Sequence, residues 1–436
     1  MKIAFMGAGS TVFVRNIMND CMQILPENFE AALYDIDAQR LKESLELLTA
    51  LNRATGKRAE INAYCGVARR KDALSGARYV INAIQVGGYK PSTAIDFKIP
   101  KRYRLRQTIG DTMGVGGIFR ALRTIPVMQD FADDIHEVCP DALFLNYTNP
   151  MAMLTGYMQR YAHPNTLGLC HSVQTCAENL LEGVGMGEYK RDCDTLIAGI
   201  NHMAWLLKIT DARGADLYPE IKRRSMSEEY KKLHKNDLVR HKIMREFGYY
   251  VTESSEHNAE YNPFFIKPEY PGLIREYRIP LDEYPRRCRS QIREWKSANA
   301  LKGAVTPRPP SKEYASRIIN AVETDTPFKL GASVINNGII PNLPKEACVE
   351  VPMEIDAKGI RPEYVGVLPL QLAAMNSSNI YPQMLAIEAA RTRKKELIYQ
   401  ACFADPHTAA VLSLDDIKSL CDELIEAHGN YLPKYH

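Results

Sequence analysis

The chain reads as an α/β protein: a doubly wound parallel sheet followed by a second lobe of mixed α+β character. Three observations predict this. Short apolar runs alternate with segments of helical period through the first half, the pattern of parallel strands joined by crossover helices. The first run, Lys2 to Met6, breaks at Gly7-Ala-Gly9-Ser10 and passes straight into a helix, as a Rossmann-like unit begins. Near residue 195 the alternation gives way to paired strands, charged helix and a long Tyr- and Pro-rich stretch. With 436 residues the chain exceeds one typical core, so two lobes are expected, 1–195 and 196–436.

Thr11 to Leu25 supplies the first helix, with Asn16-Ile-Met and Cys21-Met on its apolar side. Ala31 to Asp35 is the second strand. Asp37 then caps a helix to Arg53 whose apolar positions are Leu41, Leu45, Leu47 and Leu48. A third apolar segment, Tyr79 to Ile84, runs into Gly87-Gly88. Gly116 to Cys139 has the cleanest helical spacing, through Ile118, Leu122, Ile125, Met128, Phe131, Ile135 and Val138, with a kink expected at Pro126. Ala142 to Asn146 and Asn165 to Leu169 follow as buried strands. Beyond them, Leu196 to Ile209 reads as strand pairing, Ser225 to Arg245 as charged helix, and Tyr249 to Tyr284 with Lys302 to Lys312 as irregular chain. Pro382 to Ala401 and Leu414 to His428 read as helices, and no internal repeat is visible.

Composition narrows the partners. Lys+Arg 55 nearly balance Asp+Glu 52, and no basic run is long enough to track a phosphate backbone, which argues against nucleic acid and membrane surfaces. No apolar segment approaches the roughly 20 residues that span a bilayer. The first apolar stretch is one strand long and lacks the h-region and cleavage site of a signal peptide. The ten cysteines are scattered without CxxC pairs, as expected of thiols in a reducing cytoplasm, most of them small core residues.

The chemistry-bearing residues gather where strands end. Gly7 and Gly9 let the backbone approach a pyrophosphate resting on the amides of the next helix. Asp35, closing the second strand, can hold ribose hydroxyls. The plain alternative is an ordinary β-α-β turn, since Val12 replaces the usual third glycine. Asn149-Pro150 lies past a strand's C-terminal end, where open sheets bind ligands; Asn149 can bind a substrate or serve only in a helix cap. Cys170-His171 occupies the same kind of position after the next strand, and His202 follows about thirty residues on. A thiolate and an imidazole make half of a divalent-metal site that substrate oxygens can complete, although a buried cysteine and a satisfied histidine are commoner. Thr108 to Gly117 is glycine-rich and offers Asp111 as acid or base. Thr252 to Tyr261 gathers Glu256, His257 and Glu260 just after Tyr249-Tyr250, a run that is solvated charge by default.

Together these segments resemble glycoside hydrolase family 4, the NAD- and metal-dependent glycosidases, over essentially the whole chain. The likeness runs through Gly7-Ala-Gly9-Ser10-Thr11, Asp35-Ile-Asp37, Gly116-Gly117 to Pro126, Asn146 to Pro150, Gly199-Ile-Asn201-His202-Met, Thr252 to Tyr261, Asp282 to Pro285 and Asp405-Pro-His407. Cys170-His171-Ser172-Val173 is similar to the α-galactosidase group, whereas the phospho-glycosidases carry Cys-Asp-Met-Pro or Cys-Asn-Val-Pro. Tyr89-Lys-Pro-Ser92 stands where the phospho-sugar relatives tend to place an arginine. The resemblance implies NAD held by Gly7, Gly9, Ser10, Asp35, Asp37 and Gln85, a divalent metal such as Mn2+ on Cys170 and His202, and sugar on Asn149.

It also implies a route outside two-carboxylate chemistry: hydride leaves C3 for NAD+, a base removes the C2 proton, the C1 group departs with a general acid, water adds and the hydride returns. The acid is His171 or Asp111, because the position after the cysteine is an aspartate in the phospho-α-glucosidases and His171 here. The base is a tyrosine, with Tyr249, Tyr250 and Tyr261 as choices and Tyr250 preferred. A cytoplasmic homodimer or homotetramer acting on α-galactosides is expected. A 2-hydroxy acid dehydrogenase would instead reduce NAD stoichiometrically and need neither Cys170 nor His202. A non-catalytic NAD sensor would bind cofactor and turn over no glycoside.

Overall fold

A computed structural model describes residues 1–227, 236–300 and 306–436, with the backbone alone for Thr11, Val12 and 296–300. Its strands are β1 (Lys2–Met6), β2 (Phe29–Asp35), β3 (Ala59–Cys65), β4 (Tyr79–Asn82), β5 (Leu143–Asn146), β6 (Thr166–Gly168), β7 (Asp194–Ile200), β8 (Met203–Thr210), β9 (Tyr250–Val251), β10 (Phe328–Ile335), β11 (Cys348–Asp356) and β12 (Gly359–Pro362). They form one sheet in the order β3-β2-β1-β4-β5-β6-β10-β11-β7-β8-β9, with β12 beside β11. The first six are parallel and follow the order of a doubly wound nucleotide-binding sheet. Helices cover both faces of such a sheet, so β4 and β5 are buried at every position and read as unbroken apolar runs.

The two halves are joined through the sheet itself. Strand β6 is only three residues long, and the antiparallel pair β10–β11 continues from it through Ser333 opposite Gly168. From there β7, β8 and β9 extend the sheet antiparallel. The main core draws Ile3 and Phe144 from the parallel half and Trp205, Val351 and Ile380 from the other.

The helices that position the site are α1 (Thr11–Ile24), α2 (Ala38–Ala54), α3 (Gly114–Val138), α4 (Met151–Tyr157), α5 (His171–Gly183), α6 (Leu238–Phe247), α7 (Ser255–Glu260) and α8 (Leu370–Thr392). Asp37 caps α2 as its sequence position predicts, accepting the N–H groups of Gln39 and Arg40 at 3.0 Å each. Helix α3 runs without interruption across Pro126. It is pinned by the buried pair of Arg123 and Asp96 (2.6 Å), with His428 on the second Asp96 oxygen (2.8 Å).

The helix expected over 225–245 falls partly on 228–235, and the irregular stretch 302–312 partly on 302–305, both outside the described residues. The segment read as irregular from Tyr249 contains β9 and α7. All ten cysteines are free thiols, and among the described residues no helix is long and apolar enough to cross a membrane.

Candidate active site

The sheet's strand order reverses beside β1, and the loops after β1 and β4 line the crevice there. Gly7 sits at φ +90, and a Cβ on it would lie 2.8 Å from the Ala83 carbonyl oxygen, so any side chain would fill the space between the two loops. The Gly9 N–H donates to Asp35 Oδ2 at 2.6 Å, and Asp35 Oδ1 accepts from the Asp37 N–H at 2.9 Å. The Asp35 carboxylate thus ties the glycine turn to the end of β2. Asp37 spends its side chain on the α2 cap. The Ser10 N–H bonds the Gly7 carbonyl, and Gln85 is exposed, donating to Thr93 Oγ1 at 3.2 Å.

A second constellation forms where β6 and β7 end. Cys170 is the residue before α5, at a helix N-terminus that favours a negative ligand. His202 is the second residue of the two-residue turn linking β7 to β8 (Ile200 faces Met203), and its backbone is left-handed, φ +65. The turn delivers its Nε2 to 3.3 Å from Cys170 Sγ. Strand β9 pairs with β8 through Trp205 opposite Val251, and the pairing carries on as the Thr252 N–H donates to the Ala204 carbonyl at 2.8 Å. That register brings Glu253 beside the hairpin tip, Oε2 at 3.7 Å from His202 Nε2.

Donor atoms of Cys170, His202 and Glu253 all lie within 4.8 Å of one another. This set of thiolate, imidazole and carboxylate suits a borderline divalent ion. The other imidazole nitrogen, Nδ1, meets the Tyr261 hydroxyl at 2.9 Å and Thr112 Oγ1 at 3.3 Å, contacts of the kind that orient a metal-bound histidine. Burial alone would lower the His202 pKa, but the Cys170 and Glu253 charges push it up to about 10.

Asp111 lies beside the second constellation. Its oxygens accept from Asn149 Nδ2 (3.1 Å) and Thr112 Oγ1 (2.8 Å) and face His257 Nε2 at 3.7 Å. Burial pushes its pKa up, but the neighbouring His257 and Arg120 outweigh that and hold it well below the usual carboxylate range. Arg120 Nε in turn donates to the Asn149 carbonyl at 3.2 Å, and its guanidinium lies over the Tyr284 ring. The loop before Asp111 is gripped by Glu260, whose carboxylate accepts the N–H groups of Thr108 and Gly110 at 2.8 Å each.

His171, first in α5, bonds Glu313 Oε2 through Nε2 at 2.9 Å, which raises its pKa. The three tyrosines separate cleanly. Tyr250, preferred from the sequence, is fully buried with its hydroxyl bonded to Asp237 and Arg240 over its ring, in a smaller core with Leu180 and Ile221. The side chain points off the face of β9 that packs on that core. Tyr249 packs edge-on against Tyr218. Tyr261 is the one of the three whose hydroxyl meets His202. Glu253, Thr112, Arg120 and Tyr284 escaped the sequence reading as functional candidates. Glu253 comes to the site only through the pairing of β9 with β8, which no local pattern in the sequence announces.

The comparisons with known proteins agree with this architecture. Residues 2–186 match the model of the family 4 glycosyl hydrolases, and residues 197–408 match that of the family 4 glycosyl hydrolase C-terminal domain. An alpha-galactosidase of Bacillus subtilis (strain 168) is 56% identical over 437 residues, covering 100% of this chain and 99% of its own. An alpha-galactosidase of Rhizobium meliloti (strain 1021) is 33% identical, covering 100% of this chain and 89% of its own. Among solved structures, a 6-phospho-alpha-glucosidase from gut microorganisms in complex with NAD and Mn2+ shares the fold with a TM-score of 0.80 at 19% identity, over 100% of this chain and 99% of that one. The chain belongs to the family 4 glycosyl hydrolases.

Proposed function

We propose that this protein is an NAD- and divalent-metal-dependent α-galactosidase. The observation that carries the reading is the Cys170–His202 pair, its donor atoms 3.3 Å apart beside Asn149 and Asp111 at the strand ends that also present the Gly7 turn. The α-galactoside assignment draws on the 56% identical alpha-galactosidase and on Cys170-His171-Ser172-Val173. The related 6-phospho-alpha-glucosidase complex holds both NAD and Mn2+.

Bound, the two groups would supply a reversible hydride acceptor for C3 and a Lewis acid on Cys170 and His202. The chain's own residues do the rest. Gly7 and Gly9 admit the pyrophosphate, and Asp35 holds their turn closed. Asn149 binds the sugar, its amide oriented by Asp111. Asp111, held ionised, has no proton to give near neutral pH, whereas Glu313 keeps the His171 imidazole protonated higher on the pH scale; His171 therefore serves as general acid to the leaving group.

Tyr261 takes the C2 proton. Burial holds its phenol well above the ordinary value, so a base role at neutral pH would draw on the positive charge that a bound divalent ion and nicotinamide would supply beside it. In this reading residues 1–195 carry the nucleotide, 196–436 complete the sugar and metal site, and the protein works in the cytoplasm as a homodimer or homotetramer.

A panel of nitrophenyl α- and β-glycosides, with and without 6-phosphate, tests substrate and route together. Turnover of the α-galactoside with added NAD+ and Mn2+ in D2O should place deuterium at C2 of the released galactose, without accumulation of NADH. NADH growing in step with substrate loss would instead support a dehydrogenase.

A further inference from the structure

We infer that Glu253 is a third protein ligand of the divalent ion, so that the chain holds its metal with no sugar bound. The inference rests on the proposed metal site at Cys170 and His202 and extends it. Donors on one ion, each about 2.0–2.3 Å from it, stand roughly 3–4 Å apart at neighbouring coordination positions. The observed separations from His202 Nε2, 3.3 Å to Cys170 Sγ and 3.7 Å to Glu253 Oε2, fall in that range. The three donor atoms lie within 4.8 Å of one another.

The backbone supports the same conclusion. Left-handed φ angles are uncommon outside glycine and persist where surrounding structure enforces them. His202 (φ +65) and Glu253 (φ +67) both adopt one, just beyond the same end of the β8–β9 pairing. The second carboxylate oxygen is engaged: Glu253 Oε1 lies 3.4 Å from His257 Nδ1, leaving Oε2 to the ion. Such a histidine–carboxylate contact is what orients a carboxylate ligand.

The charge count follows. A thiolate, a carboxylate and a neutral imidazole neutralise a divalent cation, so its retention needs no anionic group from the substrate. Only two or three coordination positions then remain for sugar hydroxyls, which leaves room for a vicinal diol. Sugar can leave after each turnover without carrying the metal away.

The test uses the NAD+-loaded protein without sugar, titrated with Mn2+ and followed by the electron paramagnetic resonance signal of free Mn2+. Glu253→Gln should weaken Mn2+ binding at least tenfold, with NAD+ affinity and the metal-free melting temperature unchanged. Glu253→Asp should recover part of the loss. In Co2+-loaded protein, Glu253→Gln should keep the thiolate charge-transfer band while the d–d bands change. Wild-type Mn2+ affinity in Glu253→Gln, with Cys170→Ser and His202→Gln both impaired, would overturn the third ligand and leave the metal site standing. Unchanged affinity in all three variants would overturn the site itself.

Discussion

The nucleotide crevice and the metal cluster are built from the same sheet by opposite means. The crevice is local: Gly7 and Gly9 follow β1 directly, Asp35 ends the neighbouring parallel strand β2, and a hydrogen bond from Gly9 N–H to Asp35 ties the two together. The metal cluster is assembled from afar. Cys170 comes from a helix start, His202 from a hairpin tip, Glu253 and Tyr261 from the segment after β9, and Asp111 from the loop before α3. A local site can be encoded as a motif. A site made by strand register exists only once distant strands have paired.

The difference can be broken first at the distant site, where the largest effect is expected. Tyr261→Phe removes the hydroxyl that touches His202 and should cut kcat by roughly 10²–10⁴, the usual contribution of a positioned acid or base. It should also abolish deuterium exchange at C2 while NAD+ binding persists. Tyr250→Phe removes a hydroxyl bonded to Asp237 in a separate core and should lower the melting temperature while exchange continues. If Tyr250→Phe loses exchange and Tyr261→Phe retains it, the two roles must be reversed. Tyr261 as a mere support for His202 would show instead as weakened Mn2+ binding with exchange intact.

That contrast also explains what could be read from the sequence. The alternation of strands and helices, the parallel half and the Asp37 cap were legible because each depends on neighbours in the chain. The Asp35 carboxylate was legible as a position but not as a turn-closing acceptor, since that needs Gly9 to be folded against it. The metal pair was legible as residue types at strand ends, and the family resemblance gave it weight. Glu253 and the choice among three tyrosines were not legible. Adjacent residues on a strand face opposite sides, so whether Tyr249 or Tyr250 approaches the site depends on a pairing register that the sequence does not state. Here β9 turns Tyr250 onto the smaller core, and the next helix, α7, ends by presenting Tyr261.

An intermediate effect is expected at the local site. Gly7→Ala places a Cβ 2.8 Å from the Ala83 carbonyl at φ +90, a strain of about 1–3 kcal/mol. Because the loops after β1 and β4 must part to relieve it, NAD+ affinity should fall roughly tenfold or more by calorimetric titration, 1.4 kcal/mol being a factor of ten. Mn2+ binding should not move. A parallel loss of Mn2+ affinity would mean that the two sites are coupled more tightly than separate construction allows.

The smallest effect probes the strand that joins the two halves. Glu350 lies on β11 opposite Gly199, fully buried, with Oε1 accepting from Asn201 Nδ2 at 3.2 Å and Oε2 without a hydrogen-bond partner among the described residues. Burial pushes its pKa up to about 7, against the pull of Asn201 and His202. A carboxyl whose pKa is raised on folding holds its proton more tightly in the native state than in the unfolded one. Its contribution to stability is therefore most favourable below the ordinary carboxylate pKa and declines as the pH rises towards about 7. Glu350→Gln keeps the acceptor for Asn201 and removes the ionisation. Its melting temperature, measured without metal, should match the wild type near pH 4.5 and exceed it by on the order of a few degrees at pH 8. A difference that stays constant across that range would show that Glu350 keeps one protonation state throughout. A variant less stable at pH 8 would show that the ionised carboxylate is paired well enough in the fold to support the junction beneath His202.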